Sequence, residues 1–143
     1  KSLRINHFKI EDSWYIVDLP GYGYARIGKT GLEKLQKLIN GYILNRPQLT
    51  CVMLLIDSRH EPQKIDLEFI EWLGQSGIPF SIVFTKADKL GNGKIKMNVN
   101  AYKQILLQTW EELPPIFVTS AENGLGAEEV LEYIDQIILS LED

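Results

Sequence analysis

The segment CVMLLID at residues 51–57 is the feature that most limits what this chain can fold into. Its first six residues are apolar without a break, and its length is typical of a strand rather than a helix. A strand with no polar face must be covered on both sides, as in a parallel sheet between two helix layers. A second apolar strand begins at Pro79 and ends in polar residues, and PPIFVTSAENGLG near the end of the chain predicts a further strand and a loop. The sequence therefore predicts an α/β fold.

Segments with helical spacing of apolar residues alternate with these strands. They cover residues 31–45, 64–75, about 94–111 and 127–141. Near the start, residues 3–10 and 14–20 are rich in strand formers and are joined by a turn, which predicts a hairpin. This order favours a three-layer sandwich whose sheet is mostly parallel, with one antiparallel strand from the hairpin.

Composition limits the number of domains and the general class of protein. The 143 residues, 45% of them apolar and 24% charged, suit one domain spanning 1–143. A net charge of −4 gives no general attraction to nucleic acid or anionic membranes. No apolar run approaches the roughly 18 residues of a membrane span, and the single cysteine, Cys51, lies inside an apolar strand. We expect a cytoplasmic protein with no membrane partner.

Ligands of open parallel sheets bind beyond the carboxyl ends of the strands, so polar residues at those ends are the candidates for chemistry. Four such groups follow the predicted strands: Asp18–Gly21, Asp57–His60, Thr85–Asp88 and Thr119–Ala121.

The TKAD segment at 85–88 contains the residue types that recognise a guanine base. Guanine presents N1–H and N2–H donors along one edge, and the Asp88 carboxylate can accept from both. The stem of Lys86 can lie along the flat face of the base. TSA at 119–121 would offer backbone N–H groups to the guanine carbonyl. The alternative, an ordinary loop containing Lys and Asp, weakens because the two segments follow successive strands.

The DLPG segment at 18–21 is typical of a turn beside a nucleotide phosphate. Asp18 could hold Mg²⁺ through a bound water, and the N–H of Gly21 could approach a γ-phosphate without a side chain intervening. The alternative is a proline-glycine turn with a solvated aspartate.

A competing phosphate motif overlaps this turn. Residues Gly23–Thr30 match G-x-x-x-x-G-K-[ST], which would make the chain a P-loop ATPase or kinase with Asp57 as the acid near Mg²⁺. Against it, Asp18–Tyr22 separate the motif from its strand, and Tyr24 and Arg26 stand where backbone N–H groups must surround phosphate. The DLPG interpretation is preferred.

Four longer segments carry a resemblance to a known family: WYIVDLPGYGYA, LLIDSRHEPQKIDLEFIEWL, FTKADKL and TSAENGLG. The chain resembles the EngB-type GTPases (also called YihA or YsxC), translation-factor-related bacterial proteins that act in assembly of the large ribosomal subunit. The resemblance covers nearly the whole chain, and its first two segments are specific to that family.

The resemblance implies a monomeric GTP- and GDP-binding switch, with Mg²⁺ as cofactor and K⁺ as a further candidate. The implied partner is the precursor of the large ribosomal subunit, with its rRNA and proteins. The residues implied in nucleotide binding are Asp18, Leu19, Pro20, Gly21, Thr85, Lys86, Ala87, Asp88, Thr119, Ser120 and Ala121.

The family pattern also includes a strand, a phosphate loop and a helix ahead of the hairpin, and none of these is present in this sequence. In the family topology that strand lies between the WYIVD and CVMLLID strands. We therefore expect the chain to be an N-terminally incomplete part of a longer GTPase domain, with Ser2 in the position of a Mg²⁺-binding threonine.

The residue after DLPG is Tyr22, where many small GTPases have a glutamine that orients the attacking water. A phenol cannot orient water as that amide does, so slow hydrolysis of GTP to GDP and phosphate is expected, with no side chain assigned as catalytic. A non-hydrolysing interaction module with the same fold stays open as an alternative.

Overall fold

A computed structural model describes residues 4–6, 14–18, 28–45 and 51–141. The strands are β1 (Arg4–Asn6), β2 (Trp14–Asp18), β3 (Cys51–Asp57), β4 (Phe80–Thr85) and β5 (Ile116–Val118). The helices are α1 (Gly28–Asn45), α2 (Lys64–Gln75), α3 (Asn92–Leu107) and α4 (Ala127–Leu141), with a short 3₁₀ turn at Ala87–Lys89.

The five strands form one sheet in the order β1-β2-β3-β4-β5. β1 runs antiparallel to β2, and every other neighbouring pair is parallel. The predicted α/β fold with a mostly parallel sheet is therefore confirmed. Because parallel strands share one orientation, Asp57 lies opposite Thr85, and the Phe84–Val118 pair lies one step further across the sheet.

β2 and β3 are direct neighbours, with Trp14 opposite Cys51 and Asp18 opposite Leu55. The sequence resemblance implied a further strand between these two. In the described part of the chain the two strands instead satisfy each other's backbone hydrogen bonds, since a buried N–H or C=O needs a partner.

The continuous apolar run of β3 is explained by helices on both faces of the sheet. Val52, Leu54 and Ile56 belong to the larger apolar cluster, which receives residues from α1, α2 and α3. Cys51 and Met53 belong to the opposite cluster with Ile134 of α4. Successive side chains of a strand point to opposite faces, so a strand covered twice has no polar position until its end.

Helix boundaries differ from the sequence expectations at two points. α1 begins at Gly28 rather than at residue 31, and α3 ends at Leu107 rather than near residue 111. Trp110 leaves the helix, and its ring packs edge-on against Phe80 with centroids 5.5 Å apart. A side chain on Gly74 would collide with that ring, so the glycine makes room for the tryptophan.

Only some apolar residues of α4 pack against the sheet. Ile134 is buried and contacts the sheet, whereas Leu131 of the same helix is 62% exposed. In the described residues no helix is both long and apolar enough to cross a membrane.

Candidate functional site

The loop after β4 turns sharply at Lys86. This residue has a φ of 60°, in the left-handed region, and it is the one non-glycine residue with positive φ among those described. That conformation costs roughly 1 kcal/mol or more, so neighbouring bonds must hold it. Ala87 donates its N–H to the Thr119 carbonyl at 3.0 Å, and Lys89 donates to the Lys86 carbonyl at 3.0 Å. The first bond ties the loop after β4 to the loop after β5.

The Asp88 carboxylate is the centre of this pair of loops. Ser120 donates its hydroxyl to Oδ1 of Asp88 at 2.5 Å, and Nζ of Lys89 lies 3.3 Å from Oδ2. These two donors hold the pKa of Asp88 below its usual range, the Ser120 bond having the largest effect. Asp88 is therefore an ionised acceptor at neutral pH.

The loop after β5 is folded tightly around Ser120. The Ser120 N–H donates to the Leu125 carbonyl at 3.1 Å, and the Gly124 N–H donates to the Ser120 carbonyl at 2.9 Å. Gly126 has a φ of +74°, and a side chain there would meet the Val118 carbonyl oxygen. Ser120 is 2% exposed, so its hydroxyl is fixed toward Asp88 by a turn that only glycine permits.

A second carboxylate, Asp57, ends β3 beside this site. Arg59 donates to it from Nη2 at 2.7 Å, from Nε at 3.0 Å and from its backbone N–H at 3.0 Å. Nζ of Lys86 lies 3.3 Å from Oδ2, and Nε2 of His60 lies 3.9 Å away. Partial burial acts to raise the pKa of Asp57, but the bonds from Arg59 and the charge of Lys86 outweigh it and lower that pKa to about 2.

Ser58 locks the ends of β3 and β4 together. Its N–H and its hydroxyl both donate to the Thr85 carbonyl, at 2.9 Å and 2.5 Å. Its own carbonyl accepts a bond from the Asn98 side-chain amide of α3 at 2.9 Å. Both side chains are buried, so the start of the Thr85–Asp88 loop is held from behind. Ser58 belongs to a candidate group at a predicted strand end, but these bonds could not be predicted from the sequence because they join segments far apart in the chain.

A third aspartate lies inside the protein, away from the strand ends. Asp66, in the first turn of α2, accepts the hydroxyl of Tyr102 of α3 at 2.9 Å. The same hydroxyl accepts the Gln63 backbone N–H at 3.4 Å, so Tyr102 caps α2 from the neighbouring helix. Burial raises the pKa of Asp66 to about 6 despite the Tyr102 bond.

The structure brings together most of the residues singled out at the two strand ends. Ala87 bonds to Thr119 and Asp88 bonds to Ser120, while Thr85 and Lys86 precede them on the same loop and Ala121 is exposed on the other.

The residues expected at the phosphates are placed only in part. Asp18 ends β2, but its side chain is outside the described set. Ser2, Leu19–Tyr22 and 23–27 also lie outside the described residues, while Gly28–Thr30 form the first turn of α1. Among described side chains, no three of His, Cys, Asp or Glu are grouped closely enough to hold a metal.

Comparison with known proteins identifies the family. The chain is 64% identical over 137 residues to a probable GTP-binding protein EngB of Porphyromonas gingivalis, covering 96% of this chain and 68% of that protein. This chain belongs to the EngB family. An EngB of Phocaeicola vulgatus is 62% identical over 141 residues, covering 99% and 70%, and one of Flavobacterium psychrophilum is 54% identical over 138 residues, covering 96% and 67%. The chain thus spans about two thirds of these EngB relatives. No protein-family model matches it.

Solved structures support the same fold. Translation elongation factor SelB of Methanococcus maripaludis, in complex with the GTP analogue GPPNHP, matches with a TM-score of 0.65 at 22% identity over 96% of this chain and 28% of that one. Its apo form matches with a TM-score of 0.56 at 27% identity, over 66% of this chain and 20% of that one. These likenesses confirm the predicted GTPase-like α/β fold.

Proposed function

We propose that the complete protein binds GTP and GDP, and that the loops after β4 and β5 hold the guanine base. One observation carries the proposal. Asp88 is kept ionised and fixed by Ser120 and Lys89 at the ends of two adjacent parallel strands. Ligands of such sheets bind at this edge.

The chemistry of guanine suits that carboxylate. An ionised carboxylate has two oxygens and about four acceptor sites, so the bonds from Ser120 and Lys89 leave capacity for two further donors. Guanine supplies two neighbouring N–H donors, whereas adenine presents an acceptor in place of one of them. The exposed Lys86 stem would cover one face of the base, and the Ala121 N–H would donate to the guanine carbonyl.

The phosphates are assigned to the segment that follows β2. Asp18 would contribute to a Mg²⁺ site through water and Gly21 would approach the γ-phosphate, with Leu19 and Pro20 in the same turn and Ser2 as a further Mg²⁺ ligand. The position of Asp18 at the end of β2, on the same edge as Asp57 and Thr85, supports this assignment. Mg²⁺, when bound, would offset charge on the phosphates.

Hydrolysis is proposed to be slow, because Tyr22 replaces the water-orienting glutamine. We place the protein in the cytoplasm as a monomeric switch for assembly of the large ribosomal subunit, with K⁺ as a candidate activator and 1–143 as part of one GTPase domain. Membership of a family whose relatives are named GTP-binding proteins supports the nucleotide, and the sequence resemblance supports the ribosomal partner.

An exchange of nucleotide specificity in the full-length protein tests the proposal. Asp88→Asn should weaken GDP binding by about 10³-fold or more, because both base donors lose their ionised acceptor. The variant should bind xanthosine diphosphate better than GDP, since the asparagine amide can donate to the carbonyl that replaces the guanine amine. Equilibrium titration with fluorescent nucleotides measures both affinities.

Asp135→Asn is the matched control, because it makes the same chemical change on an exposed position of α4. It should bind GDP as the wild type does. Preference of the wild type for ATP over GTP would overturn the proposal and favour the Gly23–Thr30 motif instead.

A further inference from the structure

We infer that Asp57 is a positioning residue for guanine nucleotides, acting through Lys86. Its carboxylate would hold the Lys86 ammonium so that the lysine stem lies where the base must stack. The inference rests on the proposed function, since it concerns affinity at that same site, and it assigns a role to the first residue of the Asp57–His60 group.

The register of the sheet places the two residues together. Asp57 is directly opposite Thr85, the residue before Lys86. Lys86 has a left-handed backbone conformation, and its Nζ lies 3.3 Å from Oδ2 of Asp57. The Asp57 side chain is 13% exposed and that of Lys86 is 51% exposed. The anion is therefore sheltered while the lysine stem remains accessible to a ligand.

The anion is held from two sides, by Arg59 and by the strand end that carries it, and the strand end alone is sufficient for a positioning role. Arg59 binds it in a forked arrangement, with Nε 3.0 Å from Oδ1 and Nη2 2.7 Å from Oδ2. Such paired bonds fix the orientation of a carboxylate as well as its charge. The strand end beneath it is fixed by the two bonds from Ser58 to Thr85.

Fixing a lysine before the ligand arrives should raise affinity. A lysine side chain has many rotamers, and their loss on binding opposes association. When the ammonium is already tied to Asp57, that loss has occurred in the free protein. The methylene stem can then cover the base without moving. Asp57 needs no contact with the nucleotide for this effect.

The opposing explanation is that Asp57 serves only the turn it forms with Arg59. A double-mutant cycle in the full-length protein separates the two, with Asp57→Asn made in the wild type and in Lys86→Gln. We expect Asp57→Asn to weaken GDP binding by about threefold to fivefold in the wild type, the range of a partly exposed ion pair. In the Lys86→Gln background it should change GDP affinity by less than about 1.5-fold, because the residue it acts through is gone.

Two additional variants show whether the charge or the turn matters. Asp57→Glu restores a carboxylate and should recover most of the lost affinity, whereas Arg59→Gln leaves the Asp57–Lys86 pair and should weaken GDP binding by less than about twofold. Thermal unfolding of each variant separates loss of affinity from loss of fold. The preference for guanine over xanthine nucleotides should be the same in all of these variants, since Asp88 determines it.

The outcomes distinguish the inference from the proposed function. If the wild type binds GDP and Asp57→Asn weakens it equally in both backgrounds, or if Arg59→Gln gives the full loss, Asp57 acts through the turn and the inference is wrong. An unchanged affinity in Asp57→Asn also overturns it. Failure of the wild type to bind GDP at all overturns the proposed function, and the inference with it.

Discussion

Among the described residues, two aspartates accept a bond from a neighbouring hydroxyl, and their pKa values are shifted in opposite directions. Asp88, in the loop after β4, accepts from Ser120, and its pKa is lowered. Asp66, in the first turn of α2, accepts from Tyr102 of α3, and its pKa is raised to about 6. The hydroxyl bond favours the ionised form in both places.

The difference comes from water and from cations. Asp66 is 5% exposed, and the loss of hydration outweighs its single hydroxyl donor. Asp88 lies at the sheet edge with Lys89 at 3.3 Å, so desolvation is the smaller effect. A single hydroxyl donor therefore does not determine whether a carboxylate is charged. One aspartate is suited to recognition and the other to linking two helices.

The largest expected effect concerns the pH dependence of folding. The pKa of Asp66 is about 6 in the folded protein and lower in the unfolded chain, so the free energy of unfolding should increase as pH falls from 7 to 4. A pKa that is higher by roughly two in the folded protein corresponds to on the order of 3 kcal/mol of unfolding free energy. Asp66→Asn should remove this slope, because the amide oxygen still accepts from Tyr102 and does not titrate. Urea unfolding at a series of pH values measures it.

Asp88→Asn is the control for that experiment. The folded-state pKa of Asp88 is lowered, so its contribution is present above the unfolded pKa and is lost only at more acidic pH. The slope between pH 7 and pH 4 should therefore remain in this variant. Disappearance of the slope would show that the charge at the sheet edge, not the buried one, governs it.

Removal of the Tyr102 hydroxyl should have the next largest effect. Tyr102→Phe leaves Asp66 and the Gln63 N–H without their partner, which should lower the free energy of unfolding by about 2 kcal/mol at pH 7. The loss should be smaller at pH 5, where Asp66 is mostly protonated and costs less to bury. Denaturant titrations at the two pH values test this, and a loss that grows at pH 5 would contradict it.

Removal of the Ser120 hydroxyl should affect binding rather than folding. Ser120→Ala in the full-length protein should weaken GDP by about tenfold, because Asp88 loses the donor that fixes it. Preference for guanine over xanthine should persist, since the carboxylate remains. Ser76→Ala, at an exposed serine after α2, is the matched control and should leave affinity unchanged. If Ser120→Ala lowered the free energy of unfolding as much as Tyr102→Phe does, Ser120 would serve folding as well, and this prediction would be wrong.

The smallest effect is expected at Lys89. This side chain is 42% exposed and divides its charge between Asp88 and Glu122. Lys89→Gln should weaken GDP binding by less than about threefold at low salt, because exposed ion pairs contribute little. The difference from wild type should shrink as salt rises. A salt-independent loss would indicate direct contact with the nucleotide.

The sequence predicted those elements of the fold whose boundaries depend on residues within the same segment. The seven-residue strand at 51–57 and the helix at 64–75 have the predicted bounds, because an unbroken apolar run and a helical spacing are both visible within one segment. The predicted end of α3 was wrong, because Trp110 lies beyond the helix and packs against Phe80 and Gly74. Both of these residues are distant from it in the sequence.

The same distinction applies to the site. The sequence predicted that Asp88 and Ser120 follow neighbouring strands, and the structure adds the bond between them. Their role in nucleotide binding stays a prediction. Asp66 and Tyr102 could not have been paired from the sequence, since 36 residues separate them and no local pattern links a residue of α2 to one of α3. The Asp57–Lys86 ion pair likewise depends on sheet register, which no local pattern specifies.

Cys51 lies 2% exposed at the start of β3, and burial raises the pKa of its thiol. It is the single cysteine of the chain. A thiol reagent should therefore modify it only when the middle of the sheet opens, since the reagent attacks an accessible thiolate. A second cysteine introduced at the exposed Glu122 would react at once. This one chain could thus carry a fluorophore beside the two loops, while the slow reaction of Cys51 measures how often the protein unfolds.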